Sequence, residues 1–474
     1  MHQSVSLERW ARSPRLSVEA AGAQARPALW IAGTRAVVPP APRSPTAPCG
    51  ATPAPPDRLF AAGAGELKAA LQTWIAAPDQ TIVALRDELT LPAAVNLLAA
   101  IRHALRVTGR LLLVQAGAGG MSMIQTLCRE EPSLDGSGIE IAPTPAAVAT
   151  ARRFAAAPEW GWAELSVDSR GTATVTRWVQ AALPTTSPPF RPGEAVVVSG
   201  GLGGLGRAVA IHLGRRLGVH PVVLDRVAPG SPRTVRALAE LGAARLPYTH
   251  VVADVTDAAA VWAALRPVLA ARPVRGVVHC AGLVEGGHVR TLAAADLLRL
   301  AAPKVAGLRA ILTALDPGQL RVVLAFGSIL ARHSHPGMGA YALANELLRR
   351  EVIRCARLLP GPRYLTAEWS VWDGAGVAAE TGAAAVARQI GYQPIELAEG
   401  LRIVERLLAW TGPTTSVVVS ASPPPEPPGA PTSPYRADVK PFPRGDDQCP
   451  WTTLATPYGP MTRTHRAPCV SASP

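Results

Sequence analysis

The segment GAYALANELLR (339 to 349) holds Tyr341, and Asn345 follows one helical turn later on the same face. A phenol, with a pKa of about 10, is a poor proton donor to a developing alkoxide at neutral pH unless a nearby cation stabilises its anion. A lysine four residues on would do this, but asparagine holds that place. Lysine is scarce in the chain, which has only Lys68, Lys304 and Lys440. Lys304, in LRLAAPKVAGLRAIL, precedes the strand-like run RVVLAFGS, which ends in Ser328, thirteen residues before Tyr341. Where arginine does most of the positive work, a lysine kept at this place points to a need for a compact ammonium. Acid, hydroxyl, cation and amide together could polarise and protonate an oxygen. Singly, each has an ordinary structural role, as a helix tyrosine, a strand-end cap, a surface cation or a helix-face amide.

A second constellation lies upstream. SGGLGGLGRAVAIHLGRRLG follows the apolar run AVVV and opens a helical pattern. Within it Gly201, Gly203 and Gly206 satisfy G-x-G-x-x-G, with Leu202, Gly204 and Leu205 between them. Such glycines allow a tight turn and let backbone amides approach a pyrophosphate at the positive end of a helix. Asp225 closes PVVLD nineteen residues beyond Gly206, where a carboxylate could accept from a ribose 2'-hydroxyl. Its neighbour Arg226 could instead hold a 2'-phosphate, so the two residues argue for NAD and NADP respectively. Together they could also be a simple surface ion pair. Asp254, ending HVVAD, suits either an adenine edge or the cap of the helix TDAAAVWAAL.

The elements that must position these residues alternate. AVVVSG, PVVLD, THVVADV, VRGVVHCAG, RVVLAFGS, RYLTAEWS and TSVVVS are short, β-branched apolar runs, separated by the helical patterns GRAVAIHLGRRLG, DAAAVWAALRPVLAA, AGLRAILTALD and ANELLRREVIRCARLL. Apolar strands between amphipathic helices predict an α/β, doubly wound parallel sheet buried on both faces, with ligand at the carboxyl ends of the strands. Before residue 190, TIVALRD, GRLLLVQAG, GSGIEIAP and AELSVDSRGTATVTRW offer further strands of a smaller α/β unit. The glycines of QAGAGG (115 to 120) there lack the strand, turn and helix context of a phosphate loop, which makes that unit structural. The expected divisions are 1–190 with a Pro-rich segment at 37–58, 191–421 for the catalytic fold, and a Pro-rich tail at 422–474. Residues 373 to 394 form the expected lid.

The 474 residues are 48% hydrophobic, too apolar for disorder and long enough for two or three cores. Six scattered cysteines without C-x-x-C spacing argue against a disulfide framework or a zinc site and fit a cytoplasmic protein. An Arg-, Ala- and Ser-rich start suggests an organelle transit peptide only faintly, because Glu8 and Glu19 interrupt it. No apolar run is long enough for a membrane helix. A net charge of +13 favours acidic partners, but no motif supports nucleic-acid binding beyond charge.

GGLGGLG, ADV, VVHCAG, PKVAGL, FGS and AYALAN, in this order and spacing, resemble the ketoreductase (KR) domain of modular polyketide synthases, a branch of the short-chain dehydrogenase/reductase superfamily. The resemblance covers nearly all of 195 to 421. It extends to residues 1 to 190 through VSLERW and GMSMIQTLCREEPSLDGSGIEI, similar to the family's truncated Rossmann-like structural subdomain. In that branch lysine and asparagine exchange places. The resemblance implies that Tyr341 donates the proton, Ser328 holds the carbonyl oxygen, Lys304 lowers the phenol's pKa and touches the nicotinamide ribose, and Asn345 holds a proton relay. It implies that Gly201 to Gly206 cradle the pyrophosphate of NADPH, that Arg226 meets its 2'-phosphate, and that Asp254 and Val255 flank the adenine. Ala281 and Gly282 line the nicotinamide end. Asp225 departs from the pattern and makes NADH possible. Val284, Glu285 and Gly286 replace a Leu-Asp-Asp signature, and His333 replaces a tryptophan, so neither stereochemical marker is present; His333 and His335 are either shapers of the substrate entrance or exposed loop residues. The implied substrate is a polyketide ketone, either a thioester on an acidic acyl carrier protein or a released polycyclic ketone. The alternative is a catalytically silent cofactor- or partner-binding module.

Overall fold

The structure is a computed structural model that describes residues 27–37, 59–62, 80–86, 89–117, 119–155, 164–227, 230–376, 382–389 and 393–421. Residues 1–26, Pro-rich stretches 38–58 and 422–474, Lys68 and Lys440 lie outside the described residues.

The expected parallel sheet is present. Its strands are β8 (Ala195–Ser199), β9 (His220–Asp225), β10 (Thr249–Val252), β11 (Val274–His279), β12 (Val322–Ser328), β13 (Arg363–Trp369) and β16 (Ser416–Ser420). They lie in the order β10-β9-β8-β11-β12-β13-β16, every pair parallel. Branched apolar side chains fill both faces, and all five residues of β8 are buried, as a sheet covered on two sides requires. One face packs on α4 (Gly204–Leu217) and α10 (Leu397–Leu407), the other on α6 (Ala258–Ala271), α7 (Ala294–Ala314) and α8 (Gly339–Leu358). Strand order reverses between β8 and β11, so a crevice opens at their carboxyl ends.

The same sheet continues into the first half of the chain. Strands β2 (Leu59–Ala62), β3 (Gln80–Arg86), β4 (Arg110–Ala116), β5 (Asp135–Ile141) and β6 (Glu164–Val167) run parallel, and β7 (Ala173–Ala181) returns antiparallel. The link is β1 (Ala28–Val37), which the sequence patterns did not predict. It pairs antiparallel with β7 and, through Ala28 to Trp30, with β16, giving fourteen strands among the described residues. Trp30 Nε1 adds a bond to the Ser420 carbonyl at 3.2 Å.

Helix α7 starts twelve residues before the expected AGLRAILTALD and runs through Pro303. A proline inside a helix deletes one N–H donor and usually bends or ends it; here Leu297, Leu300, Leu308 and Ile311 are buried on both sides of it and hold the helix together by packing. In the first half, α1 (Leu91–His103), α2 (Met121–Glu130) and α3 (Pro145–Ala155) cover the sheet, and α2 rests against α8.

Candidate active site

The glycine turn leaves β8 and enters α4. Gly200 has φ +65, and a Cβ there would lie 2.9 Å from the Ala281 backbone; a Cβ on Gly206 would lie 2.3 Å from the Gly200 carbonyl oxygen. Only glycine lets the turn close this tightly against β11 and the helix. Gly203, the residue before the helix, brings no side chain to cap it, which leaves the positive end of α4 suited to an outside anion. A dinucleotide therefore fits Gly201, Leu202, Gly203, Gly204, Leu205 and Gly206.

Asp225, at the end of β9, turns towards this loop. Its carboxylate accepts from Leu202 N at 3.0 Å and from Val227 N at 3.3 Å. Arg226 pairs with Asp254 at 3.6 Å, and both are about two-fifths exposed (39% and 41%). The Arg226 ion pair is thus with Asp254 and not with its neighbour Asp225. Asp254 also accepts from Thr256 N and Oγ1 at 2.9 and 2.8 Å, and despite partial burial these donors and Arg226 hold its pKa below the usual value. Val255 and Ala281 are buried nearby on the strand ends.

Lys304 is buried, 5% exposed, with its ammonium donating to the Phe326 carbonyl at 3.0 Å. Gly282 makes room for it, since a Cβ there would come within 3.1 Å of Nζ. Burial pulls the Lys304 pKa down to about 8. Beside it, burial pushes the Cys280 thiol up to about 12, so that it stays protonated. Ser328 ends β12 and accepts from Leu330 N at 3.2 Å. Tyr341 lies in the first turn of α8, where burial raises its pKa while the neighbouring Ser328 and Asn345 side chains oppose the rise. Asn345 donates from Nδ2 to the Tyr341 carbonyl at 2.8 Å, and its Oδ1 is buried without a partner among the described residues. Ser328, Tyr341 and Asn345 thus come together, and Lys304 is tied to the strand that carries Ser328.

Residues 194–373 match the family described as the KR domain. This stretch is a KR domain. Similar curated proteins are the polyketide synthase GfsA of Streptomyces halstedii (32% identical over 51% of this chain and 3% of that protein) and the polyketide synthase ThaG of Burkholderia thailandensis (32%, 70% and 6%). A third is the 5-methyl-1-naphthoate synthase of Streptomyces sahachiroi (32%, 58% and 16%), so the chain spans a small part of each. Among solved structures, a ketoreductase from the first module of phoslactomycin biosynthesis in Streptomyces sp. HK803 superposes with a TM-score of 0.68 at 23% identity, covering 84% of this chain and 94% of that one. A-type ketoreductases from a modular polyketide synthase give 0.66 at 22%, covering 83% and 92%. At these identities the structural likeness shows the fold, a Rossmann-like α/β sheet.

The first half of the chain props the KR domain through α2. Glu346, next to Asn345 on α8, is 1% exposed and accepts from Gly120 N, Ser122 N and Ser122 Oγ at 3.2, 3.0 and 2.8 Å. Burial works against its charge, but Arg350, Arg349 and Ser122 overcome this and hold its pKa below the ordinary value. Further along α2, Gln125 accepts from Ser334 N at 2.9 Å, and Glu130 accepts from Gly337 N and Val289 N at 2.7 and 2.9 Å. The loops before Tyr341 and after Gly286 are therefore set by one helix. None of Glu346, Gln125 or Glu130 was anticipated; buried carboxylates and amides whose partners lie about two hundred residues away carry no local signal.

His333 and His335 are not exposed loop residues. His333 is 9% exposed, with both ring nitrogens 3.1 to 3.4 Å from the Arg129 guanidinium on α2. Burial and Arg129 pull its pKa down to about 2 and that of His335 to about 4. Glu285, in the Val284-Glu285-Gly286 segment, is gripped by both terminal nitrogens of Arg299 on α7. The base of the expected lid is a two-stranded ladder, β14 (Trp372–Asp373) with β15 (Ile395–Glu396), enclosing α9 (Ala383–Gln389), and Arg388 pairs with Asp373. Residues 377–381 and 390–392 of it lie outside the described residues. Cys128, Cys280 and Cys355 are free, no metal-binding group occurs among the described residues, and no described helix is long and apolar enough to cross a membrane.

Proposed function

We propose that this chain reduces a ketone of a polyketide to a secondary alcohol, with NADPH as reductant and Tyr341 as proton donor. What carries the reading is that Tyr341 and Asn345 stand one turn apart on α8, joined by the bond from Asn345 Nδ2 to the Tyr341 carbonyl, with Ser328 close to the phenol and the buried Lys304 tied to the strand that Ser328 ends. When bound, the nicotinamide supplies hydride to the carbonyl carbon. Ser328 Oγ already accepts from Leu330 N, so its hydroxyl proton is free to meet the carbonyl oxygen as charge develops there. The Tyr341 proton passes to the same oxygen. Lys304 keeps a positive charge below about pH 8, which favours the phenolate left behind. Asn345 Oδ1, with no partner of its own, offers an acceptor to a water that returns a proton to Tyr341.

Gly201 to Gly206 would hold the pyrophosphate, Arg226 the 2'-phosphate, Asp254 and Val255 the adenine, and Ala281 and Gly282 the nicotinamide end. Asp225 already accepts from two backbone amides, which supports NADPH over NADH. The +13 charge suits an acidic acyl carrier protein bearing the ketone as a thioester; a released polycyclic ketone would meet the same residues.

The test is nicotinamide absorbance with a bicyclic ketone, comparing the native chain with Tyr341→Phe. A loss of about 10²- to 10⁴-fold in kcat is expected. No oxidation above the variant's level, with either cofactor and several ketones, would sink the proposal.

A further inference from the structure

At the floor of the crevice one side chain touches both parts of the site. His279 ends β11 opposite Ser199, the last residue of β8, and is wholly buried. Its Nδ1 lies 2.7 Å from Ser199 Oγ, and its Nε2 lies 3.0 Å from the backbone carbonyl oxygen of Lys304. A carbonyl only accepts, so Nε2 carries the ring proton and Nδ1 accepts from the Ser199 hydroxyl. Both nitrogens are used, in one tautomer. Burial, with the Lys304 ammonium nearby, pulls the ring's pKa down to about 3, so this arrangement does not change near neutral pH. The contact falls where α7 packs without room to spare: a Cβ on Gly307 would meet Val255 Cγ2 at 2.7 Å and His279 Cε1 at 3.4 Å. It also follows Pro303, where the helix has lost a donor of its own.

We propose that His279 is a positioning residue: it fastens the backbone of Lys304 to the strand end that begins the glycine turn, so that ammonium and dinucleotide loop are placed by one neutral imidazole. Its kinetic consequence rests on the ketoreductase reading; the positioning itself does not. The groups facing Lys304 are His279 and Cys280 from β11, Gly282 just beyond that strand, and the Phe326 carbonyl from β12. A shift of Lys304 that appears when His279 alone is replaced reports a change of place within that set.

The chain has only three lysines, so ¹³C-labelled lysine gives three Cε signals, and Lys304→Arg identifies one of them. In the native protein its titration is expected near 8, pulled down by burial. His279→Gln keeps an N–H donor at the same reach and should leave that titration in place. His279→Met removes the donor and should raise it by about one unit or more towards the free lysine value. It should also lower kcat about ten-fold with little change in KM for the ketone, and weaken NADPH binding followed by fluorescence. If His279→Met is folded by circular dichroism and Lys304 titrates as in the native chain, the proposal is overturned. If that variant does not fold, Ser199→Ala decides: a raised Lys304 titration supports the proposal, and an unmoved one overturns it. A chain that reduces no ketone yet shows the lysine shift keeps the positioning role and overturns the ketoreductase reading instead.

Discussion

Two glycine-rich turns in this molecule join a parallel strand to a helix, and they differ in what meets the helix's positive end. After β8, the turn through Gly203 leads into α4 with no side chain from the preceding residue to cap it, and Asp225 takes the Leu202 amide just outside the helix. After β4, the turn QAGAGG leads into α2, contrary to the expectation that those glycines lack a strand and a helix. There Glu346 accepts from Gly120 and Ser122, and Gln115 takes Gly119 N at 2.7 Å. A carboxylate of the helix that carries Tyr341 sits where an anionic ligand would be favoured. One helix end has no side-chain cap; the other is used to seat Tyr341's helix.

The largest effect expected at the filled turn comes from Glu346→Ala, which removes the buried one of Arg350's two carboxylate partners, Glu140 being the other, and leaves the α2 amides without their acceptor. Loss of about 3–5 kcal/mol is expected, read from the denaturant midpoint; a loss confined to surface-pair size would mean the turn is not sealed by this residue. At the open turn, Gly206→Ala puts a Cβ against the Gly200 carbonyl. NADPH binding should weaken about ten- to a hundred-fold by fluorescence titration, with Glu346 contacts untouched. Equal binding in the variant would remove the cradle from the site.

A subtler contrast is in pH. Despite burial, its arginine and amide partners hold the Glu346 pKa below the ordinary value of 4.5, so the fold binds fewer protons there than the unfolded chain. The stability this contributes is complete above pH 4.5 and lost as pH falls through the lower folded value. Glu346→Gln should therefore flatten the acid limb of a stability-against-pH curve, and an unchanged limb would contradict the assignment. Smallest of all, Asp225→Ser should raise the NADPH to NADH ratio of kcat/KM by about ten-fold or less; an unmoved ratio would show that this carboxylate serves only its own loop.

The seven parallel strands of the second half were legible because strands buried on both faces must be apolar throughout, and valine-rich runs such as AVVV and SVVV follow from that. Tyr341, Ser328, Lys304 and Asn345 were legible as a set because their residue types and order carry chemistry. What was hidden has long-range causes. ALWIAGTRAV becomes β1 only by pairing with strands far along the chain. Glu346 and Glu130 look like surface residues until the two halves of the chain meet, one carboxylate from each half taking amides of the other. His279 did leave a trace, a histidine inside the otherwise apolar VVHCAG, but its meaning depends on a carbonyl at Lys304.

The β1 to β16 ladder also sets an order of events during synthesis. β1 can pair with β7 once residue 181 has been made, yet its other edge waits for residues 418 to 420. At ribosomal speeds that interval is on the order of ten seconds or more. For that time the growing chain carries an open strand edge, able to capture a wrong partner. The final strand of the parallel sheet is therefore also the one that ends this exposure.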